Sequence, residues 1–132
     1  MFALAAVAVL ALLRLRPFRV EVHGESMRPT LEPGDWCIAT RGGHVKRGDV
    51  VVLERPDQRG FELVKRVTGV PGEEGLGFDE WFVEGDDPSA STDSRHFGPV
   101  HRDAIRGRVR LVYWPRWRRL RSIAGPGSSP PR

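Results

Sequence analysis

Ser26 sits in Gly24-Glu25-Ser26-Met27-Arg28-Pro29-Thr30-Leu31-Glu32-Pro33-Gly34-Asp35, between a glycine turn and a Pro-Thr-Leu segment that cannot continue a helix. A serine in a tight turn presents its hydroxyl to a reacting group. That hydroxyl is a weak nucleophile until a base takes its proton. Four histidines are present. His23 lies three residues before Ser26 on an incoming strand, and His44, His96 and His101 fall in turns and loops. None stands in an arrangement that reads as a triad. The Gly-x-Ser-x-Gly elbow is also absent, because Arg28 fills its last position.

Lysine is the alternative base. Of 21 basic residues only Lys46 and Lys65 are lysine; the other 19 are arginine, which cannot be deprotonated in a protein. Lys46 belongs to an exposed turn. Lys65 belongs to the strand Phe61-Glu62-Leu63-Val64-Lys65-Arg66-Val67. Period-2 alternation puts it on a face with Leu63 and Val67, with Arg66 pointing the other way beside Glu62 and Val64. Lowering a lysine pKa from ~10.4 towards ~7 costs roughly 4–5 kcal/mol, so such a base needs burial and an orienting partner. The polar stretch 85–100 offers one, with hydroxyls at Ser89, Ser91, Thr92 and Ser94 and the pair Asp93/Arg95. Two plainer readings fit the same residues: a strand lysine that snorkels to the rim, and a solvated loop held by Asx and Ser turns.

These groups need a scaffold, and the sequence predicts an all-β one. Short strands are expected at residues 18–23, 36–40, 50–53, 61–67, 81–84 and 105–114, separated by Gly/Pro turns. In the last strand Val109, Leu111 and Tyr113 are expected on one face. Residues 89–99 read as polar loop, and 124–132 as a disordered tail rich in Gly, Ser and Pro. The chain of 132 residues divides into an apolar N-terminal segment 1–17, a catalytic domain 18–115 and a basic Trp/Arg end 116–132.

Residues 2–13 are uninterrupted apolar. As a helix they cover roughly 18–20 Å, short against a hydrocarbon core ~30 Å thick. The charge follows the apolar run rather than preceding it, which favours a short membrane anchor over a cleaved signal peptide. Arg14, Arg16 and Arg19 favour keeping the domain on the cytoplasmic side. The net charge is +4, yet all 17 acidic residues lie between basic flanks, so the middle of the chain is acidic. That distribution suits an anionic lipid surface, with Trp114 and Trp117 in the headgroup layer, and argues against a nucleic-acid reader. The single Cys37 excludes an internal disulfide and, with the histidines scattered, a Cys/His metal cluster.

Four motifs in order now stand out: Gly24-x-Ser26-Met27-x-Pro29-Thr30-Leu31-x-x-Gly34-Asp35; Arg47-Gly48-Asp49-Val50-Val51; Lys65-Arg66-Val67-x-Gly69-x-Pro71-Gly72; and Gly85-Asp86 with Ser91-x-Asp93-Ser94-Arg95-x-Phe97-Gly98-x-Val100. Together they resemble the type I signal peptidases, Ser/Lys-dyad endopeptidases on an all-β fold tethered by the N-terminus. The resemblance implies that Ser26 is the nucleophile and Lys65 the general base. It implies that Ser91 hydrogen-bonds the amine, that Asp93 and Arg95 form a bracing ion pair, and that the Ser26 backbone N–H serves the oxyanion hole. Some members add a hydroxyl at the position of Gly24, and the family usually has asparagine at Asp87.

The short interval between Gly72 and Gly85 resembles a minimal catalytic core without the large inserted β-domain. The loop up to Val100 and the Tyr113-Trp114-Pro115 ending resemble the branch that matures nickel-type superoxide dismutase. The implied activity is removal of an N-terminal extension from a protein substrate, with no cofactor, any nickel belonging to the product. General processing of exported preproteins is the alternative within the family. A LexA-like self-cleaving regulator uses a similar dyad, but the residues before 18 are too few for a helix-turn-helix. A non-enzymatic membrane-binding protein is the alternative outside it.

Overall fold

The computed structural model describes residues 2–120. The segment 124–132, expected as a tail, lies outside them. Helix α1 spans Phe2–Leu15, about 21 Å at ~1.5 Å per residue. Phe2, Leu4, Val7, Val9 and Leu10 on it are exposed. Among the described residues no helix is long and apolar enough to cross a membrane.

The domain is antiparallel β. The strands are β1 (Pro17–Glu21), β2 (Trp36–Thr40), β3 (Val50–Glu54), β4 (Glu62–Gly69), β5 (Glu80–Glu84), β6 (Val100–His101), β7 (Ile105–Trp114) and β8 (Arg118–Arg119). They follow the order β1-β2-β7-β3-β4-β5-β6, with β8 also on β7. Strand β7 is the seam. It pairs with β2 along one edge and β3 along the other, so it joins the β1–β2 hairpin to the β3–β4–β5 unit. Val50, Val51, Val52 and Leu53 are all buried, as their β-branched run predicts for a strand covered on both faces. One face packs with Val22, Met27, Leu31, Cys37, Val109 and Val112; the other with Val67, Trp81, Val83 and Val100.

Two local features depart from the sequence reading. Register shifts between β2 and β7 break the alternation, so Val109 and Val112 are buried and Leu111 only half-buried. Within 89–99 the chain makes a 3-10 turn (Pro88–Ala90) and a one-turn helix α2 (Ser94–Phe97). Each starts at an aspartate, Asp87 or Asp93, whose carboxylate accepts a first-turn N–H. No helical period exists over four residues, so capping alone carries the signal.

Candidate active site

Ser26 lies in the connection between β1 and β2. The neck of this loop is closed by Val22 N–H donating to Asp35 O and Gly34 N–H to Val22 O, both at 2.8 Å. Met27 and Leu31 anchor it in the core, with 1% and 0% exposure. Gly24 has φ 75°, a conformation that disfavours any side chain and therefore a hydroxyl there. The Ser26 carbonyl accepts the Asp87 N–H at 2.8 Å, pinning the serine against the 85–87 segment. Among the described residues the Ser26 N–H donates to no other group.

Lys65 stands on β4 opposite Val51 of β3, and only 3% of it is exposed. Its Nζ donates to Ser91 Oγ at 3.0 Å. Ser91 Oγ in turn donates to Asp93 Oδ2 at 2.6 Å and accepts the Gly85 N–H at 3.1 Å. Asp93 is fully buried and also accepts from the Gly85 N–H, the Arg95 N–H and the Arg95 guanidinium. Burial alone would raise the Asp93 pKa. The bonds from Arg95, Ser91 and the Gly85 amide outweigh it and hold the carboxyl well below the usual range. Burial pushes the Lys65 pKa down from 10.5; the Asp93 charge opposes that and Arg95 assists it. Lys65, Ser91, Asp93 and Arg95 are thus linked in one hydrogen-bonded chain.

Ser26 and Lys65 line one groove of about 580 Å³, with Phe18, Val20, Val52, Phe61 and Val64 among its walls. Two unpaired strand edges border it. Among the described residues strand β1 pairs only with β2. Strand β4 pairs with β5 only from Arg66 onwards, leaving Glu62 to Lys65 open on that side. Val22 and Val67 direct their backbone groups to β2 and to the β3 side. By alternation Arg19 and Glu21 on β1, and Glu62 and Val64 on β4, turn their N–H and C=O groups towards the groove.

A family model described as signal peptidase, peptidase S26, matches residues 1–74 and 76–114. The chain belongs to the S26 signal peptidase family. Subunit 2 of the mitochondrial inner membrane protease of Danio rerio is 32% identical over 153 aligned residues, covering 98% of this chain and 82% of that protein. Subunit 1a of the mitochondrial ATP-independent inner membrane protease of Arabidopsis thaliana is 36% identical, covering 71% and 68%. Signal peptidase I of Bacillus caldolyticus is 31% identical, covering 83% and 87%. Membership makes this S26 chain a serine-type peptidase of a family that acts on proteins bearing leader peptides.

One feature of the S26 site escaped the sequence reading. Arg66, expected simply to point away from Lys65, has a side chain only 3% exposed and forms a two-pronged ion pair with Asp86, both bonds 2.8 Å. It also donates to Gly48 O at 2.7 Å, while Thr30 Oγ1 donates to Asp86 Oδ2 at 2.6 Å. The pair therefore ties β4 to the serine loop and to the residue after Gly85. The available signal was the face shared with Val64, since a cation turned inwards requires an acid. Arg118 was likewise expected in the basic end beyond the domain. It lies on β8 and donates to Thr30 O at 2.9 Å and Asp35 Oδ2 at 2.7 Å.

His23 lines the groove but is largely exposed beside Glu21. Among the described residues no group of three or more His, Cys, Asp or Glu side chains is placed to hold a metal ion. Cys37 is buried, and that burial, with Asp35 nearby and Arg118 opposing, pushes its thiol up to about 11.

Proposed function

We propose that the chain is a Ser/Lys-dyad endopeptidase that removes an N-terminal extension from a protein substrate. The observation that carries this reading is the buried amine of Lys65, depressed in pKa, held by Ser91 and opening into the same groove as Ser26. An extended substrate adds a strand between the open edges of β1 and β4. Neutral Lys65 takes the Ser26 hydroxyl proton as Oγ attacks the scissile carbonyl carbon. The Ser26 N–H donates to the resulting oxyanion. The Lys65 ammonium returns the proton to the leaving amine as the C–N bond breaks. Water then attacks the acyl-serine ester, with Lys65 again accepting its proton, and Oγ leaves with that proton. Ser91 orients the amine, and Asp93 with Arg95 braces Ser91.

The test is cleavage of a leader-bearing substrate by Ser26→Ala and Lys65→Met variants that unfold at the wild-type temperature. Both are expected to lose at least a thousandfold in kcat/KM. Turnover retained in Lys65→Met overturns the dyad.

Helix α1 attaches the domain to a membrane by shallow insertion, supported by its exposed apolar side chains and by Arg14 and Arg16 at its end. The finer substrate reading is a nickel superoxide dismutase precursor, supported by the compact connection between β4 and β5 in place of a large insertion. Incubation with that precursor and with an exported preprotein, followed by N-terminal sequencing of the products, separates this reading from general leader processing.

A further inference from the structure

At the end of β4 remote from Lys65, two clefts of about 380 and 270 Å³ adjoin, sharing His44, Val45, Trp81 and Arg102. Val70, five residues beyond Lys65, lines the larger one, so this face lies about 16 Å along the strand direction from the amine. The connection from β4 to β5 carries Phe78, which with Asp79 lines the rim of the larger cleft and is 93% exposed. This connection is hydrogen-bonded within itself. Leu76 N–H donates to Glu73 O at 2.9 Å and Gly77 N–H to Glu80 Oε1 at 2.7 Å, and Gly75 takes φ 82°. The loop therefore presents an aromatic ring to solvent, the kind of side chain that anchors protein interfaces.

Chemistry on this face is self-matching. Asp79 follows Phe78, and its side chain is 62% exposed. Lys46 and Arg102 line the larger cleft and are in no ion pair among the described residues. An aromatic followed by a carboxylate thus sits next to an apolar hollow, floored by Val45 and Trp81 and flanked by two cations. A face that bears a projecting ring, a cleft and charges of both signs has the elements of a self-complementary two-fold contact. We propose that this face binds a second copy of the chain, each copy seating Phe78 in the other's Val45–Trp81 cleft with Asp79 against Lys46 and Arg102. The groove holding Ser26 and Lys65 stays open in both copies.

Sedimentation velocity of the full chain in detergent micelles, over a wide protein concentration range, tests this. The wild type is expected to self-associate. Phe78→Asp is expected to weaken that association at least tenfold while unfolding at the wild-type temperature. Two charge-reversed variants, Lys46→Glu/Arg102→Glu and Asp79→Lys, are expected to remain monomeric alone and to associate when mixed. A wild type that stays monomeric, as it does if the face serves a different protein, overturns the proposal. So does a Phe78→Asp variant that associates like the wild type, or a mixture that fails to associate.

Discussion

Asp86→Asn offers the sharpest test of how the site is held. The substitution keeps the shape of the side chain and removes its charge, leaving the Arg66 guanidinium buried without its counterion. The side chains of this pair are 3% and 9% exposed, so water cannot take over the solvation that is lost. Removing one partner of such a pair costs about 3–5 kcal/mol. Two charge-assisted bonds at about 1.5–3 kcal/mol each lead to the same range. For a domain of this size 1 kcal/mol corresponds to about 3–6 °C, so Tm is expected to fall by about 10–30 °C. Thermal unfolding followed by circular dichroism reads this directly. Arg66→Met/Asp86→Leu removes both charges and is expected to cost less than Asp86→Asn alone. Because Asp86 also accepts from Thr30 Oγ1, kcat is expected to fall even at temperatures where the single variant is fully folded. A Tm within about 2 °C of wild type for Asp86→Asn, or a double variant less stable than the two singles summed, refutes the assignment.

Further outcomes follow from the same geometry. In the proposed mechanism Lys65 acts only when neutral, so kcat/KM is expected to rise with pH through its folded pKa, which burial holds below 10.5. Arg95 is one of the influences lowering that pKa, so Arg95→Gln is expected to move the acid limb of the pH–rate profile upwards; an unmoved limb contradicts the electrostatic account. The lysine also makes stability rise with pH between its folded pKa and 10.5, because there the unfolded chain holds the proton more tightly; urea unfolding across that window reads the slope. Gly85→Ala puts a Cβ into Ser91 Oγ and the Ser26 carbonyl oxygen. It is expected to cost about 1–3 kcal/mol in urea unfolding and at least a hundredfold in kcat. Arg118→Gln loses its bonds to Thr30 and Asp35 and is expected to cost about 1–2 kcal/mol, measured in the same way.

The sequence made the strands legible because their patterns are local: Val50 to Leu53 is β-branched and buried throughout, and the turns are marked by glycine and proline. The grouping of Ser26, Lys65, Ser91, Asp93 and Arg95 was legible through the ordered motifs, whose resemblance joins segments that period-2 alternation treats separately. What lay hidden depended on contacts between distant segments. Alternation assigned Arg66 a face but not the acid waiting there, since Asp86 is 20 residues away and Thr30 is 36. Arg118 looked like one more basic residue of the end segment because its partners are 83 and 88 residues distant. The break in the pattern of β7 came from a register shift against β2, which belongs to the pair of strands rather than to either one.

Strand β7 carries none of the residues proposed for the chemistry, yet it joins the two halves that do. The serine hangs from the β1–β2 hairpin and the lysine from the β3–β4–β5 unit, and among the described residues these halves are joined in strand pairing through β7. Pairing through residues 105–114 therefore adds to the direct ties between the halves, the Asp87 N–H bond to Ser26 O and the Thr30–Asp86–Arg66 contacts. The same seam supplies a place to divide the molecule. Two fragments broken at the exposed Gly42-Gly43 turn, each without activity, are expected to regain it on mixing, since the second fragment brings the strand on which the first must dock.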